Sequence, residues 1–277
     1  MKIFVTGGTG FIGSHFINKA HEAGHELVCL RRLGSQSRIP LIREPIWVEG
    51  NLEDDLRTVL KECDALAHFA ACGVSPQKST REDLLRWNVQ APYYLLQDAK
   101  ISGVKNYIIT GTFAEYGLSG GNYEFIPTDA VLMPTSSYAA SKASFLQLLY
   151  ALSKEENIKV VYARIFYAFG EGQYEGNFWP SLKKAALAGE DFYMTPGEQV
   201  RDFISVEDVA EQLVNALSFS NLSCGQVNVR NIGSGHPQTL REFGEFWWEK
   251  WGATGNLHFG SKPYRKNEVM RCVPKID

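Results

Sequence analysis

The sequence predicts an α/β fold, a doubly wound parallel sheet with helices on both faces and a smaller second region over one edge. Three observations predict it. Short apolar runs alternate with helical patterns of about ten to twenty residues as far as Phe166. The first run, KIFVT, opens directly into a glycine-rich turn, GGTGFIG, and then into a helix pattern. Beyond Phe166 the rhythm breaks, and glycine, proline and aromatic residues crowd together, as in YAFGEGQYEGNFWP.

In chain order, KIFVT (2–6) reads as a buried strand. Ile12, Phe16, Ile17 and Ala20 follow at helical spacing until Gly24 stops the helix. HELVCL (25–30) is a second strand, EPIWVEGNL (44–52) a third, and 56–63 a short helix. DALAHFAA (64–71) is a fourth strand, followed by a loop with Gly73 and Pro76 and a Leu- and Tyr-rich helix over 82–102. VKNYIITGT (104–112) is a fifth strand, a helix spans 137–157, and IKVVYARIF (158–166) is a sixth strand. Further helices are expected near 181–188, 206–217 and 240–251. The chain thus divides into a first unit, 1–165, and a second, 166–277, from which some segments return to the sheet. The second unit is expected over the sheet's C-terminal edge, where open α/β sheets bind ligands.

Composition narrows the function classes. A net charge of −3 over 277 residues gives no basic field for nucleic acid or an anionic membrane. No apolar run approaches the roughly 20 residues that span a bilayer, and MKIFVTGGTG reaches glycine too soon for a signal peptide. Five scattered cysteines without a CxxC suit reduced thiols in the cytoplasm. Six histidines form no HxH or HExxH cluster, so no metal is expected.

Gly7, Gly10 and Gly13 stand between a clear strand and a clear helix. That context makes GxxGxxG a dinucleotide cradle: glycine permits the tight turn and close backbone approach, and phosphates sit at the helix N-terminus. Phe11 and Ile12 open that helix. At the end of the second strand an acidic residue would favour NAD. LRRLGSQSR instead puts Arg31 and Arg32 there, suited to a 2′-phosphate, so NADP(H) is expected with NAD as the alternative. An exposed loop with incidental charge is the other reading.

SSYAASKAS (136–144) places Tyr138 and Lys142 four apart, on one helix face. A lysine beside a tyrosine favours phenolate and lowers a pKa otherwise near 10. Alone, such a pair reads equally as a packed tyrosine and a solvated lysine.

Taken together, TGGTGFIG (6–13), GNLED (50–54), HFAA (68–71), NV (88–89), YAASK (138–142), VRDFISVEDVA (200–210) and NIGSG (231–235) strongly resemble the extended short-chain dehydrogenase/reductase family. The likeness is to its nucleotide-sugar epimerase, dehydratase and reductase branch, and it covers nearly the whole chain. The resemblance implies a Rossmann-type fold and a triad of Thr112, Tyr138 and Lys142: Thr112 bonds the reacting sugar oxygen, Tyr138 exchanges its proton, and Lys142 holds the nicotinamide ribose. It further implies adenine contacts at Asn51 and Leu52 and a nicotinamide pocket lined by Phe69, Ala70 and Ala71. Asn177, Arg201 and Arg265 would hold the diphosphate of a nucleotide-sugar substrate, with surface solvation the other reading of Arg265. A homodimer through the 82–102 and 137–157 helices is implied as well. The family's further C-terminal helix with a leucine-glycine-tryptophan pattern does not appear before Asp277, which leaves room for a longer tail.

Departures from the pattern sort the activities. Dehydratases of this branch carry an acidic pair after the triad hydroxyl; here Phe113 and Ala114 stand there, and Glu115 comes one place too late. Tyr167 occupies a position where the family often has asparagine. The expectation is NADPH-dependent reduction of an NDP-4-keto-6-deoxyhexose at C4, as in deoxysugar biosynthesis. The alternative is a 4-epimerase with tightly bound NAD, and the reading from another class is a non-catalytic cofactor-sensing protein. Phe246, Trp247, Trp248 and Trp251 are expected to pack in the core rather than form a sugar platform.

Overall fold

The computed structural model describes residues 1–74, 79–266 and 268–276; Pro76 lies outside them. Strand β1 (Lys2–Thr6) leads through the glycine turn into α1 (Phe11–Glu22), then β2 (Glu26–Arg31) and β3 (Ile46–Glu49). Helix α2 (Arg57–Leu60) precedes β4 (Ala65–His68). The expected helix over 82–102 is broken in three: α3 (Arg81–Leu85), a π-helical turn (Arg86–Gln90) and α4 (Ala91–Ile101). The bulge aims Asn88 inward, where its amide accepts from Cys72 N (2.7 Å) and donates to Ser141 Oγ (2.9 Å). β5 (Asn106–Thr112), α5 (Ser137–Glu155) and β6 (Lys159–Ile165) complete the first unit.

After it come β7 (Tyr167–Phe169), α6 (Phe178–Ala188), β8 (Phe192–Tyr193), β9 (Val200–Ser205), α7 (Val206–Asn215) and β10 (Gln226–Ile232). The chain continues through β11 (Pro237–Thr239), α8 (Leu240–Lys250), β12 (Leu257–His258) and β13 (Arg271–Cys272). The main sheet is parallel throughout, in the order β10-β6-β5-β4-β1-β2-β3. Its seventh strand, β10, comes from the second unit and pairs Gln226–Ile232 against β6. β9 meanwhile organises a small sheet with β7, β11 and β13.

Burial explains the sequence pattern. From their second residue on, β1 and β6 are buried, as parallel strands covered on both faces must be. On one face α1 and α7 pack Phe16, Ile17, Val209 and Leu213 against Ile3, Val5, Ile108 and Val161. On the other, α4 and α5 bring Leu95, Leu96, Phe145, Leu146 and Leu149 onto Phe4, Leu66, Tyr107 and Val160. Each such side chain fully buried stabilises the fold by about 1.5–3 kcal/mol. The helix starts follow local chemistry: Ser136 accepts from Ala139 N to cap α5, Ser205 caps α7, and Thr239 with Glu242 forms a capping box on α8.

Candidate active site

The loop after β1 is built so tightly that only glycine fits it. Gly7 has φ +74°, and a Cβ there would lie 2.5 Å from Ala70 N. At Gly13 a Cβ would meet Gly7 O at 2.1 Å, which locks the start of α1 onto the turn. Gly10 is the N-cap of α1 and offers no side chain to the N–H groups, and the first turn, Phe11 and Ile12 onward, holds no acid. Those N–H groups and the positive helix end therefore suit an anion. Phe69, Ala70 and Ala71 leave β4 beside this turn, with Phe69 N donating to Thr6 O at 3.0 Å.

At the end of β2 the two arginines part company. Arg31 donates to Glu49 Oε1 at 3.1 Å and lies 5.0 Å over the Trp47 ring, while its Nε is buried without a partner. Arg32 is exposed. The expected pair of phosphate clamps is thus one free guanidinium and one neutralised by β3. Asn51 is likewise occupied: its Oδ1 accepts from Glu53 N and its Nδ2 donates to Asp54, while Leu52 is buried. The glycine cradle, the uncapped helix end and the orphaned Arg31 Nε together fit a dinucleotide phosphate group.

Thr112 is the last residue of β5, and Tyr138 and Lys142 occupy the first turns of α5. Tyr138 is partly buried beside Gly73; Lys142 is almost wholly buried, and its carbonyl lies 3.2 Å from the Tyr162 hydroxyl. The expected acidic phenol is not what this arrangement gives. Burial, with the Glu115 carboxylate adding to it, pushes Tyr138 up to about 12. Lys142 is pushed down to about 8 by burial, against the pull of Glu115. Burial is the larger cause of both shifts, and it disfavours the charged form of each group.

Sequence reasoning set Glu115 aside, yet it is the most completely engaged side chain of the site. Fully buried, its Oε1 accepts from Thr112 N (2.8 Å) and Tyr162 Oη (2.8 Å), and its Oε2 from Arg164 Nε (2.9 Å). Arg164 also donates to Tyr116 Oη and Thr128 O, both at 2.8 Å, and Tyr116 Oη donates to Asn231 on β10 (2.7 Å). The signal was present: Thr112 and Glu115 have capping-box spacing, and the Thr112 hydroxyl accepts from Ala114 N. Fully buried and accepting three hydrogen bonds, Glu115 does not replace the dehydratase acids that Phe113 and Ala114 lack.

Beyond Thr112, Phe113 stacks on Tyr167 at 4.1 Å, and Arg201 Cζ sits 5.1 Å over the same ring. Buried Arg201 donates to Glu268 Oε1 (3.1 Å), to Val200 O (2.9 Å) and to Val269 O. The guanidinium expected at a diphosphate is thus engaged by acceptors of this chain. Asn177 caps α6 without a side-chain bond, and Arg265 is exposed. Asp202, beside Arg201, accepts from Ser234 N and Gly235 N, so the RD and GSG motifs hold each other. Trp247 packs on Trp179 and Trp251, and Trp248 is buried, as expected of a core cluster; Phe246 is exposed. Among the described residues no acid, thiol or imidazole cluster is arranged for a metal, and no helix is long and apolar enough to cross a membrane.

Comparison with known proteins agrees with this architecture. The model of the NAD dependent epimerase/dehydratase family matches residues 3–233. A UDP-glucose 4-epimerase of Lactobacillus helveticus is 27% identical over 85% of this chain and 77% of its own length. The CDP-abequose synthase of Salmonella muenchen is 24% identical over 97% of this chain and 87% of its own. Among solved structures, the UDP-glucose 4-epimerase of Thermotoga maritima, with UDP-glucose, superposes with a TM-score of 0.84 at 26% identity, covering 100% of this chain and 90% of that one. The chain belongs to the NAD dependent epimerase/dehydratase family.

Proposed function

We propose, from that membership, that the chain is a nucleotide-sugar 4-epimerase, oxidising and re-reducing C4 of a nucleotide-diphosphate sugar with a retained nicotinamide cofactor. One observation carries the reading: Thr112, Tyr138 and Lys142 stand at one sheet edge while Phe113 and Ala114 occupy the positions where elimination needs acids. Relatives named for 4-epimerisation support it over the ketoreductase expected from the sequence. The cofactor supplies the hydride acceptor and donor. Tyr138 carries the proton of the C4 oxygen, Thr112 hydrogen-bonds that oxygen, and Lys142 orients the nicotinamide ribose. Asn177 and Arg201 hold the diphosphate, Arg201 by exchanging Glu268 for phosphate oxygens.

A second reading, NADPH-dependent reduction of an NDP-4-keto-6-deoxyhexose, is favoured by the free guanidinium of Arg32 and by a Tyr138 phenol that stays protonated, as a proton donor must. The free cysteines support a reducing, cytoplasmic setting. Exposed Tyr94 and Ile101 on α4 and Tyr150 on α5 support pairing with a second copy. Incubation with UDP-glucose and with several NDP-4-keto-6-deoxy sugars, following nicotinamide absorbance and C4 stereochemistry together, tests both readings. Inverted sugar without net oxidation supports the epimerase; stoichiometric NADPH oxidation supports the reductase. Nicotinamide binding without turnover of any of these sugars would leave the non-catalytic reading.

A further inference from the structure

We infer that Glu115 is the positioning residue of this site: its carboxylate fixes the Thr112 end of β5 against α5 and supplies the fixed negative charge beside Tyr138. The inference rests on the reading of Thr112, Tyr138 and Lys142 as the reacting set.

The geometry joins four elements through one side chain. Oε1 receives Thr112 N, which orients the residue whose hydroxyl faces the substrate. The same oxygen receives Tyr162 Oη, which also lies 3.2 Å from the carbonyl of Lys142. Oε2 receives Arg164 from β6, and Arg164 is tied through Tyr116 to Asn231 on β10. A shift of Glu115 therefore moves the hydroxyl residue relative to the lysine and tyrosine of α5. Full burial preserves the effect of its charge, because no water screens it.

The charged and titratable groups around Tyr138 and Lys142 come from each element packed there. Lys142 itself lies on α5, Glu115 follows β5, Tyr162 and Arg164 project from β6, and His68 ends β4. Arg164 partly cancels Glu115. Even so, the carboxylate is the group whose charge reaches both Tyr138 and Lys142, favouring the protonated phenol and the protonated amine. Among the described residues of this chain no second acid does so. Glu115 thereby keeps the pair in its protonated state and makes the conjugate phenolate the stronger base.

The test compares Glu115→Gln with Tyr162→Phe in the full chain, with and without NAD. Protein labelled with 13C at the tyrosine ζ carbon reports the Tyr138 ionisation by NMR, and Tyr138→Phe assigns the signal. The expected result is that Glu115→Gln moves the Tyr138 midpoint to lower pH and draws the alkaline limb of the kcat profile down with it. kcat falls about tenfold with KM little changed. Tyr162→Phe, which keeps the charge, leaves the midpoint in place. An unmoved midpoint in Glu115→Gln, with only a lower melting temperature, overturns the inference in favour of a purely structural acid. Should Glu115→Gln fail to fold, the pair Glu115→Gln with Arg164→Gln removes both charges. A smaller downward move of the midpoint is then expected, because the cancelling charge goes as well; an unmoved midpoint, or failure of both variants to fold, overturns the inference. A wild type that turns over no nucleotide sugar defeats the proposed function alone, because the NMR titration needs no substrate.

Discussion

Two buried arginines, Arg164 and Arg201, each face a glutamate, and the contrast between them separates an enclosed pair from one open to solvent. Arg164 and Glu115 are 2% and 0% exposed, and the carboxylate accepts three hydrogen bonds from within the protein. Arg201 and Glu268 are 8% and 19% exposed, and the guanidinium leans on the Tyr167 ring. A fully enclosed pair cannot trade partners, because either ion left alone faces a large desolvation penalty. A pair open on one side can, since a ligand anion replaces the carboxylate as the latter moves into water. The same two residue types thus form a closed pair in one place and a pair with access to solvent in the other.

The largest expected effect belongs to the group at the chemistry. Tyr138→Phe removes only the transferable proton, so turnover falls by about 10²–10⁴-fold while nicotinamide binding, measured by fluorescence titration, is unchanged. A variant keeping most of its activity would remove Tyr138 from the mechanism.

Next comes the enclosed pair. Arg164→Met leaves the buried Glu115 charge without its counter-ion, and urea unfolding is expected to show a loss of about 3–5 kcal/mol. Arg201→Ala instead raises KM for the nucleotide sugar by roughly 10–100-fold with a small change in stability. Similar stability losses in both variants would erase the distinction drawn here.

Acid provides a third probe. His68 is buried with Nδ1 2.7 Å from the Thr6 hydroxyl and Nε2 unpartnered, and burial, aided by the Lys142 charge, holds it down to about 3. Between about 3 and the ordinary 6.5 the unfolded chain binds a proton that the folded chain refuses. Stability from this group is complete above pH 6.5 and drains away as pH falls towards 3. His68→Gln should flatten that part of the pH dependence of chemical denaturation; an unchanged slope would contradict the burial argument. The smallest effect is expected at the cofactor loop. Arg31→Ala with Arg32→Ala weakens NADPH binding about tenfold more than NADH binding, and equal losses would show that neither arginine reads a 2′-phosphate.

How much of this was legible in the sequence follows from what each feature needs. The glycine turn is a backbone requirement, so Gly7 and Gly13 declare themselves by residue type and place. Central strands buried on both faces read as continuous apolar runs. β10 did not: QVNVRNI alternates with Asn and Arg because it is an edge strand, paired on one side only. The π-helical turn at Arg86–Gln90 was hidden, since its cause is the distant bonding of Asn88 to Cys72 and Ser141. The family resemblance pointed to Thr112, Tyr138 and Lys142, but it gave no hint of the direction of the Tyr138 shift, which depends on burial and on a carboxylate twenty-three positions away in sequence. The commitments of Arg31 to Glu49 and of Arg201 to Glu268 were equally invisible, each being a contact between separate strands or segments.

The central claim is that hydride leaves and returns at C4 of a nucleotide sugar while Tyr138 handles the proton on its oxygen. A set of nucleotide hexoses carrying deuterium at C4 measures it directly, with products read by NMR and mass spectrometry. The account predicts a C4-inverted sugar that keeps its deuterium in normal water. Inverted product that has exchanged the label for solvent hydrogen would contradict it.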